Sequence, residues 1–204
     1  MKIRKIGNMN RADKIAMFSK EIEDIVDNDL RKLATEIIAH ADDYFFTIPA
    51  SSTGKNHPPF ALGEGGLVRH TKCVVYMVER LCESFNIDEY KRDMLIVAAL
   101  AHDIKKQGDC AEGVGHTVHE HPLLAAQYIC EVYFAIDESE IYVPNGIMEL
   151  IVDAIKSHMG KWGAYSKFIG DKKPLPMPQT ECEKILQAAD YLASRKEILA
   201  FEFK

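Results

Sequence analysis

Along most of the chain, apolar residues recur at steps of three and four, the spacing that lines one face of an α-helix. Leu30, Leu33, Ala34, Ile37, Ile38, Ala41, Tyr44 and Phe45 predict one helix, with His40 on its buried side. Leu67, Val68, Thr71, Val74, Val75, Val78, Leu81, Cys82 and Phe85 predict a longer one, and Ile147, Leu150, Ile151, Ala154 and Ile155 a shorter one. Met94 to Ala101 is a continuous apolar run behind the charged turn Asp88 to Asp93, which predicts a helix buried on most sides. Thr180 and Glu183 have the spacing of a capping box at the start of the last predicted helix. Pro122 fits a first helical position, where its missing N–H costs nothing. No segment alternates with period two for long enough to predict a strand, so the expected class is all-α. Residues 48–66, 105–115 and 160–179, with their glycines, prolines and small polar side chains, read as loops. Residues 1–47 are expected to form a helical extension on a core of residues 48–204.

Composition narrows the function classes. With 47% hydrophobic and 27% charged residues in 204, disordered, collagen-like and disulfide-scaffold classes drop out. Five cysteines without a C-x-x-C pair predict free thiols in a reducing compartment. No apolar run has the length of a membrane span, and Met1 to Arg11 lacks the apolar stretch of a signal peptide, so a soluble, cytoplasmic protein is expected. A net charge of −6 argues against a surface for double-stranded nucleic acid or an anionic membrane, yet leaves room for a small positive pocket. Oligomeric state stays open, homo-oligomers included.

The eight histidines carry the candidate chemistry through their positions. His102 and Asp103 stand side by side at the end of the apolar run, where both would be costly to desolvate without partners. A divalent metal satisfies both, because neutral imidazole and carboxylate are each ligands for Mn, Fe, Co, Ni or Zn. Asp190 is a second carboxylate among small and apolar neighbours, and His70 and His158 lie on or beside apolar stripes. Four helices thus each offer an inward polar group, which is how metal sites are built in helical bundles. Singly, each of these is more often a hydrogen-bonded core residue. The chain order His, His-Asp, His, His, Asp is what carries the argument.

That order resembles the HD-domain metal-dependent phosphohydrolases, over about residues 49–195. The resemblance implies an HD-domain helical bundle, residues 48–204, behind the N-terminal extension of residues 1–47. It assigns His70, His102, Asp103 and Asp190 to a first metal. In two-metal members Asp103 is shared and His121 and His158 are added, so two divalent ions are expected (Mn, Fe, Ni, Co or Zn, with Mg also allowed). The segment through His57 to Gly65-Gly66 and His70 is similar to the start of the HD domain in certain 3′–5′ exoribonucleases, without their OB domain. The segment Lys184 to Arg195 is similar to the end of HD-domain dinucleoside tetraphosphatases. Met159 in place of a second histidine, and the lack of Gly-Tyr-Pro, depart from cyclic-dinucleotide phosphodiesterases. Lys105 stands where many relatives have glycine, while Lys106 keeps the family's lysine.

The implied activity is hydrolysis of a phosphoester or phosphoanhydride in a small nucleotide-like substrate, by a water that the metals activate. Asp103 and Lys106 are the catalytic candidates, the latter one turn further on and placed for a phosphate oxygen. His57, Lys161 and Arg195 are candidates for substrate contact. His116 and His119 read as loop histidines, and Trp162 either stacks on a base or packs at its corner. The rival reading is a non-catalytic HD module that binds a nucleotide or a protein partner; the presence of all six ligand positions favours the enzyme.

Overall fold

Helix α5 (Glu89–Ala101) runs through the middle of the computed structural model, which describes residues 9–137 and 140–199. Residues 1–8 of the expected extension and 200–204 of the expected core lie outside the described residues. Asp88 caps the start of α5 by accepting from the Lys91 amide, and every side chain from Met94 to Ala101 is fully buried. Three alanines in that run, Ala98, Ala99 and Ala101, let neighbouring helices come close. Around α5 pack α3 (Asn28–His40), α4 (Gly66–Phe85), α7 (Asn145–Ser157) and α10 (Glu181–Ala193), while α6 (His121–Ala135) packs on α7. Short helices α1 (Arg11–Ala16), α2 (Ser19–Glu23), α8 (Lys161–Ala164), α9 (Ser166–Ile169) and α11 (Lys196–Leu199) complete the set. The described residues contain no strand, and the fold is all-α. None of the helices is long and apolar enough to cross a membrane. The five cysteines are free thiols.

Three expectations need correction. The stripe from Leu30 to Phe45 is not one helix: α3 stops at His40, Ala41 turns extended (φ −59°, ψ 145°), and Asp43–Phe46 form a 3₁₀ turn. The break sends Asp43 to Lys14 (2.7 Å) and Asp42 to Lys105 (2.9 Å), and it stacks Phe45 on Phe18. His40 is exposed, because the buried face of α3 runs through Ala34, Ile37 and Ile38; its Nδ1 meets the Glu36 carbonyl (3.0 Å). The 160–179 segment holds the two one-turn helices α8 and α9, and α11 follows the helix expected to be last.

The capping box at Thr180 forms as expected and does more than start a helix. Glu183 accepts from Thr180 Oγ1 (2.7 Å), the Thr180 and Gln179 amides (3.3 and 2.9 Å), and Ser157 Oγ (3.3 Å). Ser157 is the last residue of α7, next to His158, so one carboxylate fixes the start of α10 to the end of α7. Burial opposes its charge, but the Gln179 amide and the Thr180 donors outweigh burial and hold it below the usual carboxylate range. Its contribution is therefore present above the unfolded pKa of about 4.3 and is lost as pH falls through the lower folded value. Glu183→Ala should cost about 1–2 kcal/mol in urea unfolding at pH 7. The gap to wild type should narrow in acid; a gap unchanged by pH would show that charge plays no part.

Candidate metal centre

Six side chains from five helices or their ends converge at one point. His70 lies one turn into α4, His102 and His158 are the C-cap residues of α5 and α7, His121 opens α6, and Asp190 stands in α10. Asp103 follows His102 in a hydrogen-bonded turn. All but Asp190 are buried, and its side chain is 23% exposed toward the cavity. The C-terminal ends of α5 and α7 bring the negative poles of two helices to this point, which favours a cation.

Three of the imidazoles are aimed by their own backbone. His102 Nδ1 meets the Ala99 carbonyl (2.7 Å), His158 Nδ1 that of Ile155 (2.7 Å), and His121 Nδ1 that of Val118 (2.6 Å). A carbonyl can only accept, so each Nδ1 carries the proton and each Nε2 turns a lone pair inward. At the end of α5 this also occupies a last-turn carbonyl, and at the end of α7 the Ile155 carbonyl accepts from the His158 amide (3.3 Å) as well.

The two oxygens of Asp103 face different histidines. Oδ1 lies 2.9 Å from His121 Nε2 and 3.7 Å from His158 Nε2, while Oδ2 lies 3.5 Å from His102 Nε2 and 3.9 Å from His70 Nε2. Asp190 Oδ1 closes the second group, 3.1 Å from His70 Nε2 and 3.9 Å from His102 Nε2. His121 and His158 hold their Nε2 atoms 3.4 Å apart. Yet His70 Nε2, His102 Nε2 and Asp103 Oδ1 have no hydrogen-bond partner. Buried polar atoms are rarely left so. Donors bonded at about 2.1 Å to one tetrahedral ion stand about 3.4 Å apart, so the residues present fit a metal. Within the described residues, His70, His102 and Asp190 form one group able to hold an ion, and His102, Asp103 and His158 another.

Charge follows from burial and neighbours. Burial opposes charge on His102, but Asp103 beside it raises its pKa, whereas burial, with His102 and His121 nearby, pushes His158 down to about 3. Asp103 is buried, yet Lys106 and His102 hold its carboxyl far below the usual range; His70 and His102 do the same for Asp190. The Lys106 ammonium pairs directly with Asp103 Oδ2.

A cavity of about 290 Å³ opens onto the cluster, lined by Asp103, Lys106, His121, His158 and Asp190 and walled by Asn56, His57, Trp162, Tyr191 and Arg195. Burial and neighbouring His70 hold His57 near pKa 4, and its Nδ1 has no partner. The Arg195 guanidinium lies over the rings of Tyr191 and Trp162 (4.5 and 5.1 Å). Lys161 is not in this cavity; its ammonium sits over Trp162 (4.6 Å) in the adjoining cleft. Trp162 stacks on Tyr191 (5.0 Å, 18°), so it packs at its corner. His116 and His119 lie in loops, the latter bonded to the Lys173 carbonyl (2.9 Å).

Sequence reasoning missed Gln187 and Ser194, which line the cavity from α10 and the residue after it. They stand three before and four after Asp190, a helical spacing that marks the same face. It also missed the role of Lys105, buried between Asp42 (2.9 Å) and Asp109 (2.7 Å), tying the turn after α5 to the segment after α3.

No curated protein and no solved structure matches the chain. Residues 67–195, well over half of it, match the HD domain family, and this stretch contains every member of the cluster. The chain thus belongs to the HD-domain family, within the superfamily of metal-dependent phosphohydrolases.

Proposed function

We propose that the protein hydrolyses a phosphoester or phosphoanhydride of a nucleotide-like substrate, using two divalent transition ions. His70, His102, Asp103 and Asp190 would hold one ion, and Asp103, His121 and His158 the other. The observation that carries this reading is the split carboxylate of Asp103, whose two oxygens face two different sets of inward Nε2 atoms. A bound divalent ion supplies Lewis acidity, lowering the pKa of a coordinated water from 15.7 to about 7 and offsetting phosphate charge.

The chain's own residues supply the rest. The Ala99, Ile155 and Val118 carbonyls keep three imidazoles in one tautomer, so no proton must be moved to free their Nε2 atoms. Lys106 has three N–H donors, enough to keep Asp103 and also to reach a phosphate oxygen in the cavity. His57, held neutral, offers an uncharged ring nitrogen to the substrate, and Arg195 offers a planar fork suited to phosphate.

The test is metal analysis of the purified chain, followed by assay of a chromogenic phosphodiester and a nucleotide panel with Mn, Fe, Co, Ni, Zn or Mg. Bound transition metal, and turnover abolished by a chelator and restored by one of these ions, are expected. A folded, metal-loaded chain that binds a nucleotide and turns over none of the panel would instead support the non-catalytic module.

A further inference from the structure

Beyond the Trp162–Tyr191 stack lies a second cleft, of about 460 Å³, lined among others by Lys161, Lys184 and Gln187. It shares Trp162, Gln187 and Tyr191 with the metal cavity, so the two are neighbouring rooms with one common wall. Among the described residues no carboxylate lines it.

Lys161 and Lys184 line it, and Arg195 lies across the shared wall in the metal cavity. Most buried or bridging lysines are neutralised, Lys14 by Asp43 (2.7 Å), Lys105 by Asp42 (2.9 Å), and Lys106 by Asp103. Among the described residues Lys161, Lys184 and Arg195 have no carboxylate partner, in a protein of net charge −6. Lys161 and Arg195 are instead held against the Trp162 ring, at 4.6 and 5.1 Å. An aromatic face positions a cation without occupying its N–H donors. Arg195 Nε is buried and has no acceptor, an orphan donor at the shared wall.

We infer that Trp162, Tyr191, Arg195, Lys161, Lys184 and Gln187 form a second anion subsite, and that the substrate carries a second phosphate apart from the one at the metal centre. The inference rests on the phosphohydrolase reading for the first phosphate only. A single phosphate at the metal centre has Lys106 and Arg195 within its own cavity and leaves Lys161 and Lys184 unanswered. A second phosphate held in ester linkage, as in an oligonucleotide, or in anhydride linkage, as in a nucleoside polyphosphate, has the same chemistry here.

The experiment is calorimetric titration of the full, Mn-loaded chain with a nucleoside 5′-monophosphate, the matching 5′-triphosphate, and the matching 5′-phosphorylated dinucleotide. At least one of the two larger ligands should bind about tenfold or more tightly than the monophosphate, and which one identifies the linkage. Lys184→Glu should erase most of that preference, and Lys184→Arg should keep it. Lys184 is exposed in the first turn of α10, where an acidic side chain suits the helix pole, so the variant folds. Equal affinity for all three ligands, or a loss in Lys184→Glu that is the same for monophosphate and larger ligands, would overturn the inference. Preference without turnover sustains it and removes the hydrolase reading; turnover without preference does the reverse.

Discussion

Asp103→Asn is expected to strip the protein of bound metal and to lower any phosphohydrolase rate by about 10³-fold or more. Among the described residues its carboxylate alone faces both His70 and His102 through one oxygen and both His121 and His158 through the other. Asparagine keeps one acceptor and turns an NH₂ toward imidazoles whose Nε2 atoms are themselves acceptors, so at least one set of donors loses its anion. The Lys106 ammonium also loses its buried partner. Metal content by mass spectrometry and circular dichroism together decide the matter. Native-like dichroism with metal reduced to background is the expected pair. An Asn variant that retains full metal would mean the two histidine sets do not depend on a shared carboxylate.

The second large effect lies in the backbone. Gly66→Ala should destabilise the fold by about 3 kcal/mol or more. In a chain of this size that corresponds to a fall in Tm of about 6–12 °C. Gly65 sits at φ 67° as the N-cap of α4, and Gly66 is the first helical residue. A Cβ on Gly66 would run into the Ala61 carbonyl and lie 3.0 Å from Pro49 Cα. These are backbone atoms that no rotamer change can move. They are also held, because Leu67 N donates to Ile48 O (2.9 Å) and Ala50 N to Ala61 O (3.0 Å). Relief requires the start of α4 to shift away from the 48–61 loop, and His70 stands one turn further along α4. Metal affinity should therefore fall with stability. Scanning calorimetry of the Ala variant checks the first effect, and a Tm within about 1 °C of wild type would contradict the backbone contact.

How far the site could be read in the sequence differs from residue to residue. His102, His158 and Asp190 were visible because local periodicity assigns each to the end or the inner face of a helix, and polar groups there need partners. Periodicity could not follow the chain past Ala41, since an apolar stripe continues in phase whether or not the backbone does. The break there is set by remote partners, Lys14 and Lys105, that draw Asp43 and Asp42 apart. His40 was misplaced by the same assumption. Lys161 was expected at the metal cavity but lies across the Trp162 wall, because the path of a loop carries no repeating pattern.

The sequence by itself determined the all-α class, the starts of α4, α6 and α10, the burial of α5, and the order of polar residues that marks the HD-domain family. These follow from interactions within a turn or two of helix, which spacing encodes directly. Only the tertiary structure decided that the oxygens of Asp103 divide between two histidine sets, that Lys105 joins Asp42, and that Trp162 closes on Tyr191 to separate two clefts. Those depend on which helix faces which, and on the carbonyls and cations that close packing brings within about 3 Å of one another.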